Sequence, residues 1–166
     1  MENTLLYGYY GSLLRIDLSN RICRIESLES SILRRYIGGV GLGVRLLHEF
    51  TPIGADPLSE HNPLIYINSP FADVIPASTT KFAISCKSPL TGFVGDSLSS
   101  GPLSVELKKM PFDAIVLTGK ADSLTYLEIS DNQVQFHDAT YLKGLSSADV
   151  ERRLKTEYVN NDLCVS

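Results

Sequence analysis

Two short runs of small hydroxyl-bearing residues hold the most promising chemistry in the chain: Ala77-Ser78-Thr79-Thr80-Lys81 and Ser97-Leu98-Ser99-Ser100-Gly101. Exposed amides and hydroxyls gathered around one ammonium group can hold phosphate oxygens, the backbone N–H groups as donors and the lysine as a point charge. Serine and threonine in such runs are also ordinary turn formers, and the residues alone leave both readings open. The glycines of Gly39-Val40-Gly41-Leu42-Gly43 do not form a dinucleotide fingerprint. That motif needs a preceding strand and a G-x-G-x-x-G spacing, whereas here a helical pattern precedes and the spacing differs. Helix termination and close backbone packing explain these glycines better.

Other reactive groupings are weaker. Asp96-Ser97 lacks the G-x-S-x-G elbow of a hydrolase nucleophile. Cys23, Cys86 and Cys164 are far apart and contain no C-x-x-C pair, and His48, His61 and His137 show no metal-ligand spacing. Neither a disulfide framework nor a zinc or iron–sulfur site is therefore expected, and no catalytic or metal-binding residue is assigned. Glu106 stands one helical turn from Lys109 and reads as its surface partner.

With 166 residues, 43% of them hydrophobic and 20% charged, the chain can bury one core, and a single domain over residues 1–166 is the expectation. A net charge of -4 with no basic cluster argues against nucleic-acid binding. No apolar run of about 18 residues and no secretory leader pattern is present, so a protein without membrane association, placed in the cytoplasm, is expected.

The elements that would position the two runs follow from periodicity. Residues 13–18 and 21–25 alternate around Ser19-Asn20 as a β-hairpin. Helical spacing over 30–36 stops at Gly38-Gly39, and a second helix over 42–50 ends before Pro52. Strands are expected over 64–67 and 81–86, separated by a polar loop over 69–80, and a helix over 102–110 begins near Pro102. Residues 95–101 read as a small-residue loop opened by the Pro89-Leu90-Thr91-Gly92 turn. Strands over 114–117, 125–129 and 133–136 follow, with Ser130-Asp131-Asn132 as a turn, then a helix capped at Ser146 that runs to about Tyr158. Residues 162–166 form a strand-like run, as in a fragment or a subunit whose last strand pairs elsewhere. Hairpin then helix occurs at both 14–36 and 126–154, so a duplicated ββα unit is one reading. Hairpins interleaved with short helices predict an α+β fold with mixed or antiparallel sheets.

Several blocks, taken in order, resemble one known family. They are Tyr36-Ile37-Gly38-Gly39-Val40-Gly41-Leu42-Gly43, Asp56-Pro57-Leu58-Ser59, Lys87-Ser88-Pro89-Leu90-Thr91-Gly92-Phe93, Gly95-Asp96-Ser97, Phe112-Asp113-Ala114-Ile115-Val116-Leu117-Thr118-Gly119-Lys120 and Phe136-His137-Asp138-Ala139. Their order and spacing are similar to those in the N-terminal domain of the tungsten-containing aldehyde:ferredoxin oxidoreductases. The resemblance implies a domain that forms a base for a tungstopterin, a bis-pterin tungsten or molybdenum cofactor whose phosphates are bridged by magnesium. It implies cofactor contacts at Lys81, Leu98, Ser99, Ser100 and Gly101. Lys81 stands where the family has Arg, and Leu98-Ser99-Ser100-Gly101 stands in place of an Asn-Ser/Val-Gly-Gly stretch. It further implies aldehyde oxidation to carboxylic acid, with electrons leaving through a [4Fe-4S] cluster to ferredoxin.

The family's cluster ligands and downstream domains have no counterpart in this sequence, so the chain by itself is not expected to be catalytic. The remaining domains, or a separate catalytic chain, would be its partners. A standalone binding or assembly module and a structural docking subunit are the alternatives. Each would leave apolar surface open and favour self-association.

Overall fold

The computed structural model describes residues 7–72, 79–130, 133–158 and 164–165. The expected Asn132 turn, Ala77-Ser78 of the first hydroxyl run, much of the 69–80 loop and most of the terminal run fall outside them. The chain forms two compact units, residues 1–120 and residues 121–166.

The first unit is built on a six-stranded mixed sheet in the order β2-β1-β6-β3-β4-β5. The alternating residues of β1 (Ser12–Asp17) and β2 (Ile22–Ser27) pair antiparallel as a hairpin. Asp17 shapes its turn by accepting from the Ser19 and Asn20 N–H groups. The apolar run of β6 (Ala114–Thr118) lies parallel to β1 and antiparallel to β3 (Leu64–Asn68). β4 (Lys81–Lys87) and β5 (Val94–Ser100) extend the sheet antiparallel to an open edge. Here the structure corrects the sequence reading, because the small-residue stretch 94–100 is an edge strand and not a loop. Val-Gly-Asp-Ser-Leu-Ser-Ser has low strand propensity, and its pairing with β4 decides the outcome.

Helices α1 (Ser30–Tyr36) and α2 (Gly39–Phe50) cover one face of this sheet. Leu33, Leu42 and Leu46 pack there with Leu13, Ile65, Ile67, Ala83 and Val116 in the main core. α2 starts at Gly39, earlier than its apolar spacing suggests, because its first turn uses the glycines themselves. The chain reverses after α1 at Ile37, whose positive φ of 63° is rare for a β-branched residue. Gly43 is where helix and sheet come closest: a Cβ at that position would collide with Ser85 Oγ and lie 2.8 Å from Ile67 Cδ1. Ser85 is fully buried, and its hydroxyl has no hydrogen-bond partner among the described residues.

Helix α3 (Pro102–Lys109) lies on the opposite face, where its Ser104 meets Asn68 at the end of β3. The Asp113 carboxylate, buried between α3 and β6, accepts from the Tyr10 N–H at 3.1 Å and the Gly11 N–H at 2.7 Å. Burial pushes this carboxyl above its usual range, although those two donors and nearby Lys108 pull it down. Burial likewise lowers the Lys108 ammonium, with Asp113 opposing the shift. For both groups, desolvation outweighs their mutual attraction.

The second unit is a hairpin of β7 (Thr125–Ser130) and β8 (Gln133–Asp138), a 3-10 turn at Thr140–Leu142, and α4 (Ser147–Glu157). Ser146 caps α4 by accepting from the Asp149 N–H, as its position predicts. Leu142, Leu154 and Ala139 form its small core. The expected mixed and antiparallel sheets with short helices are all present, and the hairpin-then-helix order occurs in both units.

Candidate functional site

Lys81 and the Leu98–Gly101 stretch come together at one corner of the sheet, although the chain between them makes a full hairpin. In register, Lys81 faces Ser100, Phe82 faces Ser99, and Ala83 faces Leu98. Directly opposed residues in an antiparallel pair put their side chains on the same face. Lys81, Leu98 and Ser100 therefore share the α2 side of the sheet, beyond the area that α2 covers. Ser99 points to the other side with Phe82. The five anticipated residues are thus adjacent in the backbone but divided between faces, with three in one set.

The hydrogen-bonding alternation adds a feature that composition could not reveal. The Ser88 N–H donates to the Phe93 carbonyl at one end of the hairpin, and the Gly101 N–H donates to the Thr80 carbonyl at the other. Odd-numbered residues of β5 therefore turn their main-chain groups toward β4, and Val94, Asp96, Leu98 and Ser100 turn theirs outward from the edge. Leu98 brings no polar side chain, yet its backbone donor and acceptor face away from the sheet. Ser100 adds a hydroxyl to the same row, and Lys81 stands beside it on the neighbouring strand.

Gly101 links this corner to α3. Its φ of 148° favours glycine, and a Cβ built there would meet none of the described residues within 4 Å. Lys81, Leu98, Ser99 and Ser100 are all solvent-exposed, with Leu98 at 61%. Further along the hairpin, a turn held by Ser88 and Thr91 hydroxyls presents Leu90 and Phe93 to solvent at 92% and 79% exposure. The whole β4–β5 corner is thus open, polar at the Lys81 end and apolar at the turn.

Two side chains beneath this corner escaped the sequence reading. Asn68 and Ser104 form a buried polar pair. Asn68 ends an apolar strand and Ser104 lies within a helix, so neither has a spacing that marks it. In the second unit, Glu128 accepts from the Tyr158 hydroxyl at 2.7 Å and pairs with His137 Nε2 at 2.9 Å. Burial, then the contacts with Tyr126 and Glu128, raises Tyr158 well above the ordinary phenol range. His137 is engaged with a carboxylate, and its ring stacks on Tyr126. No group of three or more His, Cys, Asp or Glu among the described residues could hold a metal ion. No described helix is long and apolar enough to cross a membrane.

The chain as a whole is similar to several known proteins. The model of the aldehyde ferredoxin oxidoreductase N-terminal domain matches residues 13–165. A tungsten-containing aldehyde ferredoxin oxidoreductase of Pyrococcus horikoshii is 34% identical over 153 residues, covering 92% of this chain and 25% of that protein. The protein of that name from Thermococcus kodakarensis is 31% identical, covering 97% of this chain and 27% of its own length. An aliphatic sulfonate oxidoreductase WOR-like subunit of Pyrococcus furiosus is 33% identical over 92% of this chain and 24% of its own length. Among solved structures, a chain of the active site complex BamBC of benzoyl coenzyme A reductase, in complex with 1,5 dienoyl-CoA, superposes with a TM-score of 0.87. It is 27% identical, covering 92% of this chain and 23% of that chain. This chain spans about a quarter of the length of the curated relatives it matches. Residues 13–165 carry the match, and the chain belongs to the aldehyde ferredoxin oxidoreductase family, corresponding to its N-terminal domain.

Proposed function

We propose that this chain is the cofactor-base domain of a tungsten- or molybdenum-pterin oxidoreductase, holding one side of the cofactor at the Lys81 and Leu98–Gly101 corner. The observation that carries this reading is the register of β4 and β5. It sets one ammonium group, the Ser100 hydroxyl and a row of outward main-chain groups at Leu98 and Ser100 on one open corner. That donor set suits a ligand bearing phosphates and a flat heterocycle with amide edges. The phosphate takes the charge and N–H donors, and the heterocycle edge pairs with the strand as another strand would. Gly101 lets a ligand approach the backbone without meeting a side chain. The residues present therefore fit one flank of a bis-pterin group with bridging magnesium.

The chemistry such a group supplies when bound is oxidation of an aldehyde to a carboxylic acid, with electrons passed through a [4Fe-4S] cluster to ferredoxin. This chain's part is to bind and orient. Lys81 offers a point charge where Arg would give a two-pronged donor, so its hold on phosphate is less directional. The substrate is set elsewhere, in keeping with relatives whose names cover aldehydes, sulfonates and a coenzyme A thioester. The remaining catalytic parts come from further domains or a separate chain, which would cover the exposed Leu90, Phe93 and Leu98. Without that cover the β5 edge and these side chains favour self-association. Gel filtration with light scattering over a concentration series is expected to show a mass that rises with concentration; a constant monomer mass opposes this.

A second reading is a binding or assembly module of the same fold, without catalysis. It is favoured by Leu98, whose side chain offers the ligand no polar group. Either reading requires the corner to bind. Titration of the purified protein with inorganic pyrophosphate, followed by calorimetry, is expected to give saturable binding. Lys81→Ala is expected to weaken it at least about tenfold, as loss of a charged contact does. Absence of binding in the unaltered protein, or equal binding by the variant, overturns the site.

A further inference from the structure

We propose that Ser104, acting with Asn68, is a positioning residue for this corner: it fixes the Lys81 main chain and the Gly101 turn from beneath. The inference rests on the reading of the corner as a phosphate-holding site. Ser104 is fully buried in α3, and Asn68 is 7% exposed at the end of β3. The Ser104 Oγ lies 3.1 Å from the Lys81 carbonyl oxygen and 3.2 Å from Asn68 Oδ1. A hydroxyl has one proton, so these two acceptors share it.

The other arms close the circuit. Asn68 Nδ2 donates to the Ser104 carbonyl at 3.1 Å, and Asn68 Oδ1 accepts from the Ser69 N–H at 2.9 Å. The Asn68 N–H donates to the Asp113 carbonyl, the Ser104 N–H to the Gly101 carbonyl, and the Gly101 N–H to the Thr80 carbonyl. The ends of β3 and β4 and the first turn of α3 are thereby tied at one point, and the ties lead to Thr80, Lys81 and Gly101.

Burying such a pair between helix and sheet costs desolvation that an apolar contact would avoid. What it supplies instead is direction. The Lys81 ammonium sits on a long flexible stem, so its reach is set by where its Cα is anchored. Ser104 holds the peptide that carries that Cα, and also the turn that brings Ser100 alongside. A binding group held by a rigid supporting network loses less freedom when a ligand arrives.

Pyrophosphate titration of the whole chain tests this. Ser104→Ala is expected to bind about tenfold more weakly than the unaltered protein, and Ser104→Cys, which keeps the shape with a slightly larger atom and a weaker donor, about threefold more weakly. Ile16→Val trims the same unit's core away from the network. It is expected to lower the melting temperature as Ser104→Ala does while leaving affinity within about twofold. Unchanged affinity in Ser104→Ala, or an equal loss in Ile16→Val, overturns the positioning role. If Ser104→Ala fails to fold, Ser104→Cys decides alone, and affinity equal to the unaltered protein's then overturns it. Failure of the unaltered protein to bind defeats the corner itself, and with it this role. That outcome is separate from binding that persists through the Ser104 substitutions.

Discussion

Asp113→Ala is expected to lower the unfolding free energy of residues 1–120 by about 3 kcal/mol, one of the two largest effects predicted for a single substitution. The carboxylate accepts from the Tyr10 and Gly11 N–H groups and receives attraction from Lys108. Removing it deprives two main-chain donors of the carboxylate they bond to, and takes the nearby anion from Lys108, whose ammonium keeps its bond to the Gly8 carbonyl and its place over the Tyr10 ring. Losing charge-assisted hydrogen bonds while leaving donors unsatisfied costs in this range. Urea unfolding checks it, with the midpoint falling and the slope unchanged.

The pH dependence has a definite sign. Burial raises the folded-state carboxyl above its unfolded value, so the fold binds the proton more tightly than the unfolded chain does. The linked stabilisation is complete below the unfolded value and is lost as pH rises through the raised folded value. Acidification from neutrality through that raised value should therefore widen the gap between the unaltered protein and Asp113→Ala. A gap that narrows on acidification contradicts the account.

Gly43→Ala is expected to destabilise the same unit by about 2 kcal/mol, even though alanine favours a helix interior by about 1 kcal/mol. The added Cβ strikes Ser85 Oγ and crowds Ile67 Cδ1. Those atoms belong to a close-packed helix–sheet contact that cannot move apart without opening the core. Ser85→Ala supplies the control. By itself it removes a buried hydroxyl that has no partner among the described residues, and is expected to leave stability unchanged or raise it by about 1 kcal/mol. In that background Gly43→Ala should cost about 1 kcal/mol less, a coupling that a double-mutant cycle measures. Additive effects would show that the serine is not the obstacle.

Most of the architecture was legible because period-2 and helical patterns dominate where burial is one-sided. The β1–β2 hairpin, both central strands β3 and β6, and α4 with its Ser146 cap all follow from local spacing. β5 did not. Its Gly-Asp-Ser composition carries no apolar alternation, since both of its faces are exposed and its order comes from β4. The consequence reached the candidate site: Lys81 and Leu98–Gly101 could be named from the sequence, but their division between faces and the outward row of main-chain groups depend on register. Register is a tertiary property that composition does not encode. The Asn68–Ser104 pair was equally hidden, because a buried asparagine and serine look like any others until helix and strand meet. The γ-turn at Ile37, closed by the Gly38 N–H on the Tyr36 carbonyl, went unforeseen for a related reason, with two glycines next to it that would take such a conformation more readily.

The placement of β6 between β1 and β3 sets an order of events during synthesis. Leu13 pairs with Ala114, yet almost the whole first unit separates them along the chain. Until Thr118 has left the ribosome, the β2–β1 hairpin and the β3–β4–β5 meander are two unconnected halves, each with an unpaired inner edge. Late insertion of one strand must then join them, which makes maturation slow and dependent on distant contacts. Nascent chains paused before that point would be natural clients of holding chaperones.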